Sequence, residues 1–98
     1  MGIRERPVEW RELERLLGQL GFRLDRQQST AHAQWEHACF RGERRVVTVS
    51  RHHSPFTRNL LKLMRGQMGL SKAELFRALT DEAFAARLAG EGHLESKG

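Results

Sequence analysis

Cysteine is almost missing from this chain, and so are long apolar runs. Its single cysteine, Cys39, cannot form an internal disulfide, whereas a small exported domain more often carries several cysteines. No apolar run approaches the length that spans a bilayer, and the N-terminal segment MGIRERPVEW contains no apolar stretch typical of a signal peptide. These absences argue against a disulfide-stapled scaffold and favour a cytoplasmic protein without a membrane segment.

The sequence also lacks the patterns that mark several common kinds of site. It contains no closely spaced pair such as C-x-x-C or H-x-x-x-H, by which zinc sites are usually recognised. It contains no phosphate-binding glycine loop, nucleophile elbow or pair of catalytic carboxylates. His32, His37, Cys39, His52 and His53 could in principle converge on a metal, but we expect no metal and no small-molecule cofactor.

Acidic residues are scarce in the middle of the chain, and this scarcity concentrates the positive charge. Residues 41–72 carry eight basic residues and one acidic residue, whereas residues 1–40 are neutral and residues 73–98 have a net charge of −2. Arginine outnumbers lysine by fourteen to three, and its guanidinium suits bidentate phosphate contacts and stacking on bases. The central stretch therefore predicts a polyanionic partner, with an ordinary solvated surface as the alternative.

Ninety-eight residues, 39% of them hydrophobic, are enough for one domain with one modest core. We expect this domain to cover residues 1–89, followed by a flexible polar tail over 90–98. Apolar residues spaced by three and four predict a helix over 8–20, which Gly21 ends. Alternating and β-branched residues then predict three strands joined by short turns, as in an antiparallel meander. The predicted strands cover residues 22–27, 32–40 and 45–50.

Further helices are predicted after the strands. Ser54 as N-cap and Pro55 at the first position would start a helix that ends at Gly69. Ser71 and Glu74 match a capping box, so another helix should begin there, with one last short helix after it. The expected fold is thus α+β: a helix, a three-stranded antiparallel meander and a helix, with extra short helices at the C-terminal end. Helices would cover one face of the sheet and leave the other open.

Four segments carry a family resemblance. Residues 12–22 end in a Gly-Phe turn, residues 32–37 read H-A-Q-W-E-H, and residues 47–52 read V-T-V-S-R-H. Residues 61–76 contain M-G-L-S and then E-L-F. In their order and spacing, over roughly residues 12–79, these segments resemble the HicA family of messenger-RNA-cleaving toxins.

The resemblance implies a fold like the double-stranded-RNA-binding domain, an endoribonuclease activity that needs no metal, and a HicB-type antitoxin as partner. It also implies that His32 is the catalytic residue. Histidine suits this role because its pKa near neutrality lets it take a proton from a 2′-hydroxyl or donate one to a leaving oxygen. The residues expected to bind RNA are Gln34, Arg44, Arg45, Arg51, His52, Arg58 and Lys62.

The chain departs from the family pattern at three points. Thr-Ala at 30–31 replaces Gly-Ser before His32, Ser50 replaces a proline, and Asn-Leu at 59–60 replaces Gly-Thr. Two alternatives to the toxin hypothesis use the same basic stretch. One is an RNA-binding module without cleavage, and the other is a domain whose basic face binds an acidic protein.

Overall fold

A computed structural model describes residues 6–29, 32–52 and 55–95 of the chain, with side chains described over 6–25, 32–52 and 55–90. The predicted order of a helix, a three-stranded antiparallel meander and further helices is confirmed. The elements are α1 (Trp10–Gln19), β1 (Arg23–Ser29), β2 (His32–Phe40), β3 (Glu43–Ser50), α2 (Arg58–Met68), α3 (Lys72–Thr80) and α4 (Glu82–Glu95).

The three strands form one sheet in the order β1-β2-β3, with β2 in the centre. The register sets His32 opposite Ser50 and Gln34 opposite Thr48. Because directly paired residues project to the same side of an antiparallel sheet, these side chains share one face. Strand β2 has the predicted bounds, whereas β1 and β3 each run two residues closer to their connecting turn with β2. Ladder pairing with β2 overrides the turn-like composition there, and residues 30–31 lie outside the described part.

A single hydrophobic core lies between the helices and the other face of the sheet. Ala33 of β2 and Val47 and Val49 of β3 are fully buried. The helices bury residues at the spacings that predict amphipathic helices, among them Leu13, Leu16, Leu17, Met64, Met68, Leu75 and Leu88. His32 and Gln34 stay partly exposed on the opposite side, which we call the open face.

Helix α2 begins later than the sequence predicts, and the prediction that Ser54 and Pro55 start it is wrong. Ser54 lies outside the described residues, and the N-cap is Thr57, whose hydroxyl accepts a backbone amide of the first turn at 3.2 Å. Just before it, Phe56 is buried and its amide donates to the carbonyl of Val8 at 3.0 Å. This contact with a distant segment holds Phe56 in the loop, so the helix starts after it.

The other helix boundaries follow local signals except at the C-terminal end. Helix α2 ends at Met68 with Gly69, which has a φ of 76°, as its C-cap, and Ser71 and Glu74 form the predicted capping box. Helix α4, however, continues through Gly90 to Glu95, where the sequence predicts the start of a tail. A glycine inside a helix costs only about 1 kcal/mol, so the surrounding alanine, leucine and glutamate residues extend the helix past it.

Candidate functional site

Two histidines that are twenty positions apart in the sequence meet at one end of the sheet. His32 is the first residue of β2, and its side chain is partly buried. His52 lies in the turn directly after β3, where it is exposed. The register brings them together because His32 pairs with Ser50, two residues before His52. Their ring centroids are 5.2 Å apart, and the ring planes are inclined at 82°.

The turn that carries His52 is anchored to helix α1 by its neighbour Arg51. Both carboxylate oxygens of Glu14 accept hydrogen bonds from Arg51, each at 2.7 Å. The guanidinium carbon also lies 4.6 Å from the centroid of the Trp10 ring, within cation–π range. The hydrogen bonds that Arg51 donates to Glu14 raise the pKa of Arg51. Arg51 therefore fixes the turn, and its side chain is 16% exposed.

Gln34 extends the open face along β2. It is partly buried, and it lies two residues from His32 and opposite Thr48 of β3. The amide of Thr48 donates to Oε1 of Gln67 in helix α2 at 3.1 Å. This bond satisfies a donor of the outer strand and holds α2 against its edge. His32 and Gln34 thus lie next to each other on the open face.

Arg44 and Arg45, two other predicted RNA-binding residues, project to opposite sides of β3. Arg44 lies 3.1 Å from the carboxylate of Glu36 on the neighbouring strand, yet 64% of its side chain is exposed. Arg45 is 16% exposed, and its Nε donates to the carbonyl of Phe40 at 2.9 Å. Arg44 is accordingly accessible to a polyanion, whereas Arg45 mainly ties the β2–β3 turn together.

Arg58 and Lys62 line a groove formed by α2, α3 and the segment before α1. Its volume is about 580 Å³. None of the described side chains that line it is acidic. Five are basic, namely Arg6, Arg58, Lys62, Arg65 and Lys72. The remaining lining is apolar and consists of Phe56, Leu61, Leu75 and Phe76. We call this feature the basic groove.

Arg65 and Lys72 belong to the basic stretch 41–72 but are not among the residues predicted to bind RNA, and Arg6 lies outside that stretch. One signal was available, because Arg58, Lys62 and Arg65 are spaced by four and three residues and must share one face of a helix. No comparable signal existed for Arg6, since it comes from a segment more than fifty residues away. Its guanidinium also pairs with Glu12 at 2.8 Å.

His37 is partly buried against core phenylalanines and lies far from the other two histidines whose side chains are described. Its ring lies 5.2 Å from that of Phe22 and 5.4 Å from that of Phe40, and its Nδ1 accepts the amide of Cys39 at 3.0 Å. Five residues along a strand correspond to about 16 Å between His37 and His32. Within the described residues, no group of three His, Cys, Asp or Glu side chains is arranged to hold a metal ion.

Comparison with known proteins supplies the family. The family model described as the HicA toxin of bacterial toxin-antitoxin systems matches residues 10–70, more than half of the chain. The chain belongs to the HicA toxin family. The matched range contains both His32 and His52 and five of the nine residues of the basic groove. Arg6, Lys72, Leu75 and Phe76 lie outside it.

The order of elements agrees with the double-stranded-RNA-binding-domain-like fold that the resemblance to HicA proteins implies. A search of curated proteins finds no match to this HicA-family chain, and neither does a search of solved structures. No helix among the described residues is both long enough and apolar enough to cross a bilayer.

Proposed function

We propose that this HicA-family protein is an endoribonuclease that cleaves messenger RNA without a metal, and that His32 is its catalytic residue. The observation that carries the proposal is the position of His32. It is partly exposed at the end of the open face, in contact with the ring of His52 and close to Gln34 along the same strand. An imidazole there is accessible to RNA, and histidine is the side chain that most often serves in general acid–base catalysis.

The proposed reaction is attack by a 2′-oxygen on the adjacent phosphate, which gives a cyclic phosphate and a 5′-hydroxyl end. DNA is spared because it lacks the nucleophile. Negative charge builds up on the phosphate in the transition state, and nearby cations stabilise it. Of the RNA-binding residues that the sequence suggests, Arg44, Arg58 and Lys62 are exposed and can contact RNA phosphates. Arg44 lies at the other end of β3 from the partner of His32, so it would contact a phosphate away from the one that is cleaved. Arg51 acts mainly by holding the turn.

The test is His32→Ala, assayed for RNA cleavage in EDTA buffer and for growth arrest on induced expression. Cleavage should fall by about 10²- to 10⁴-fold, the usual contribution of a general acid or base, and growth arrest should disappear. The fold and most RNA affinity should remain, because phosphate contacts supply most of the affinity. Gln19→Ala, an exposed change at the end of α1, is the control and should retain full activity.

Two outcomes would contradict this proposal in different ways. Persistent cleavage by folded His32→Ala would remove this residue from the mechanism. Binding of RNA by the wild-type protein without any cleavage would instead support an RNA-binding module, which needs the basic groove but not His32.

A toxin of this family implies an antitoxin, and we propose a HicB-like acidic protein that covers the basic groove and His32. Positive charge on the toxin would steer an acidic partner, so raised salt should slow association. Co-purification from the native host, followed by mass spectrometry, tests this directly. Recovery of free, fully active toxin alone would contradict it. The proposed reaction places both proteins in the cytoplasm, where messenger RNA is translated.

A further inference from the structure

Cleavage by the proposed route moves two protons, and His32 can handle only one of them at a time. As the 2′-oxygen attacks, the P–O2′ bond forms and the 2′-hydroxyl proton must leave. As the P–O5′ bond breaks, the departing 5′-oxygen must gain a proton. Catalysis at neutral pH therefore favours a base and an acid on the two sides of one phosphate.

We propose that His52 is the second catalytic residue and that His32 and His52 act as an acid–base pair. The inference rests on the proposed ribonuclease function. One imidazole takes the proton of the 2′-hydroxyl while the other, in its protonated form, donates to the 5′-oxygen. The products are a cyclic phosphate and a 5′-hydroxyl. Proton exchange with water restores both rings, so no metal or further reactant enters the balance.

The geometry of the two rings is compatible with one ring acting as the base and the other as the acid. At a centroid separation of 5.2 Å, both rings can contact one phosphate group. Ring nitrogens bond in the plane of the ring, so an interplanar angle of 82° directs the two sets of hydrogen bonds along nearly perpendicular planes. The two rings can therefore direct hydrogen bonds to two different oxygens at one phosphate, the attacking 2′-oxygen and the leaving 5′-oxygen.

Other polar side chains near the pair are less suited to proton transfer. Arg51 stays charged, because its hydrogen bond to Glu14 raises its pKa further, and Glu14 is held by the same contact. Gln34 does not titrate. The anchored Arg51 contributes in another way: it restrains the turn that carries His52 and so keeps the second ring near the first.

A sulfur-substituted RNA tests the pair. A cleavage site is first mapped on RNA cut by the wild-type protein in EDTA buffer, and a short oligonucleotide is then made with sulfur in place of the bridging 5′-oxygen. A thiol has a pKa of about 8.5, so the sulfur leaves as a thiolate without an acid. His32→Ala and His52→Ala should each slow cleavage of ordinary RNA at least a hundredfold. On the sulfur substrate, the variant that lacks the acid should cleave at a rate within about tenfold of the wild-type rate. The variant that lacks the base should remain slow.

A second variant, His52→Gln, separates proton transfer from phosphate binding. Glutamine can still donate a hydrogen bond to a phosphate but cannot transfer a proton. We expect it to bind RNA like the wild type and to cleave as slowly as His52→Ala. Thermal unfolding of each variant confirms that the fold is kept.

The inference is overturned if either His52 variant cleaves ordinary RNA within tenfold of the wild-type rate while His32→Ala is inactive. That result would leave the proposed function intact. Rescue of both variants, or of neither, by the sulfur substrate would also overturn the inference. A wild-type protein that binds RNA but does not cleave it would refute the ribonuclease function itself, and the acid–base pair with it.

Discussion

Gly69 closes helix α2 at a position where a side chain has no room. Its φ of 76° lies in the left-handed region, and a β-carbon there would come within 2.6 Å of the guanidinium carbon of Arg45. Arg45 is itself held by the carbonyl of Phe40. A residue larger than glycine would therefore meet backbone strain and displace a bound side chain.

We predict that Gly69→Ala lowers the free energy of unfolding by about 1–2 kcal/mol, the usual cost of a left-handed conformation for an alanine. Gly66→Ala in the same helix is the matched control. A β-carbon at Gly66 would meet nothing within 4 Å, so helix propensity should raise stability by up to about 1 kcal/mol. Urea unfolding measures both, and effects of the same sign would contradict the prediction.

The ion pair of Glu14 and Arg51 is mostly removed from water, since the two side chains are 10% and 16% exposed. We predict that Glu14→Gln lowers the free energy of unfolding by about 3 kcal/mol, because it leaves a buried cation without its counter-charge. Glu36→Gln removes a carboxylate from a more exposed pair with Arg44 and should cost less than about 1 kcal/mol. Equal costs in urea unfolding would show that burial does not distinguish the two pairs.

Among the elements, helix α3 combines an N-terminal cap with a tertiary ion pair. Ser71 Oγ accepts the amide of Glu74 at 3.2 Å, and Glu74 Oε1 accepts the amide of Ser71 at 2.8 Å. Arg41, from the β2–β3 turn, lies 2.8 Å from the same carboxylate. The hydrogen bond from Arg41 holds the pKa of Glu74 below its ordinary value, so the helix start should respond to pH.

The sign of that response follows from the lowered pKa. The stabilisation is present above the unfolded-state pKa of about 4.3 and is lost as the pH falls through the lower folded-state value. We predict that Glu74→Gln lowers the free energy of unfolding at neutral pH. The free energy of unfolding of this variant should also fall less steeply as the pH is lowered. Ser71→Ala should cost about 1 kcal/mol and keep most of the slope, because the hydrogen bond with Arg41 is the largest cause of the lowered pKa of Glu74. Urea titrations across acid pH measure this, and an unchanged slope in Glu74→Gln would refute it.

Most elements could be predicted because their signals are local. The three-and-four spacing in α1, the β-branched run of β3 and the capping box of α3 each depend on residues within a few positions. The start of α2 could not be predicted, because it depends on a hydrogen bond between Phe56 and Val8. The length of α4 was not predicted, because its two glycines resemble a helix end while the helix-forming residues beside them continue the helix.

The candidate site likewise has features that local sequence predicts and features that depend on distant contacts. His32 and His52 could each be selected from local patterns that resemble a family, but their contact depends on the register of β2 with β3. The partner of Arg51 is 37 residues away, so nothing in the sequence separates it from an exposed arginine. A charge count gives the total field and cannot show which cations are already neutralised.

At the scale of the whole molecule, the positive charge of the central stretch is divided between internal bonds and an accessible surface. Arg58 and Lys62 are exposed on the wall of the basic groove. We predict that Arg58→Ala combined with Lys62→Ala weakens binding to many RNA sequences alike. It should also reduce the slope of log affinity against log salt by about 1.4, from about 0.7 for each lost phosphate contact on single-stranded RNA.

A control with the same change in net charge is Arg15→Ala combined with Arg87→Ala, two exposed residues outside the groove. Fluorescence anisotropy over a salt series measures affinity and slope for each protein. Equal losses in the two double variants would mean that RNA responds to net charge alone and would move the binding surface elsewhere.

The bond between Glu14 and Arg51 has a consequence for the order in which a newly made chain acquires its properties. Closing a loop of 37 residues costs conformational entropy. Favourable contacts offset this cost only when α1 docks beside the completed sheet. During synthesis, a ribosome-bound chain that has not yet exposed the turn after β3 has neither this anchor nor the paired rings. Under the proposed ribonuclease function, we therefore expect a nascent chain to leave its own messenger RNA intact at least until the turn after β3 has emerged and α1 has docked.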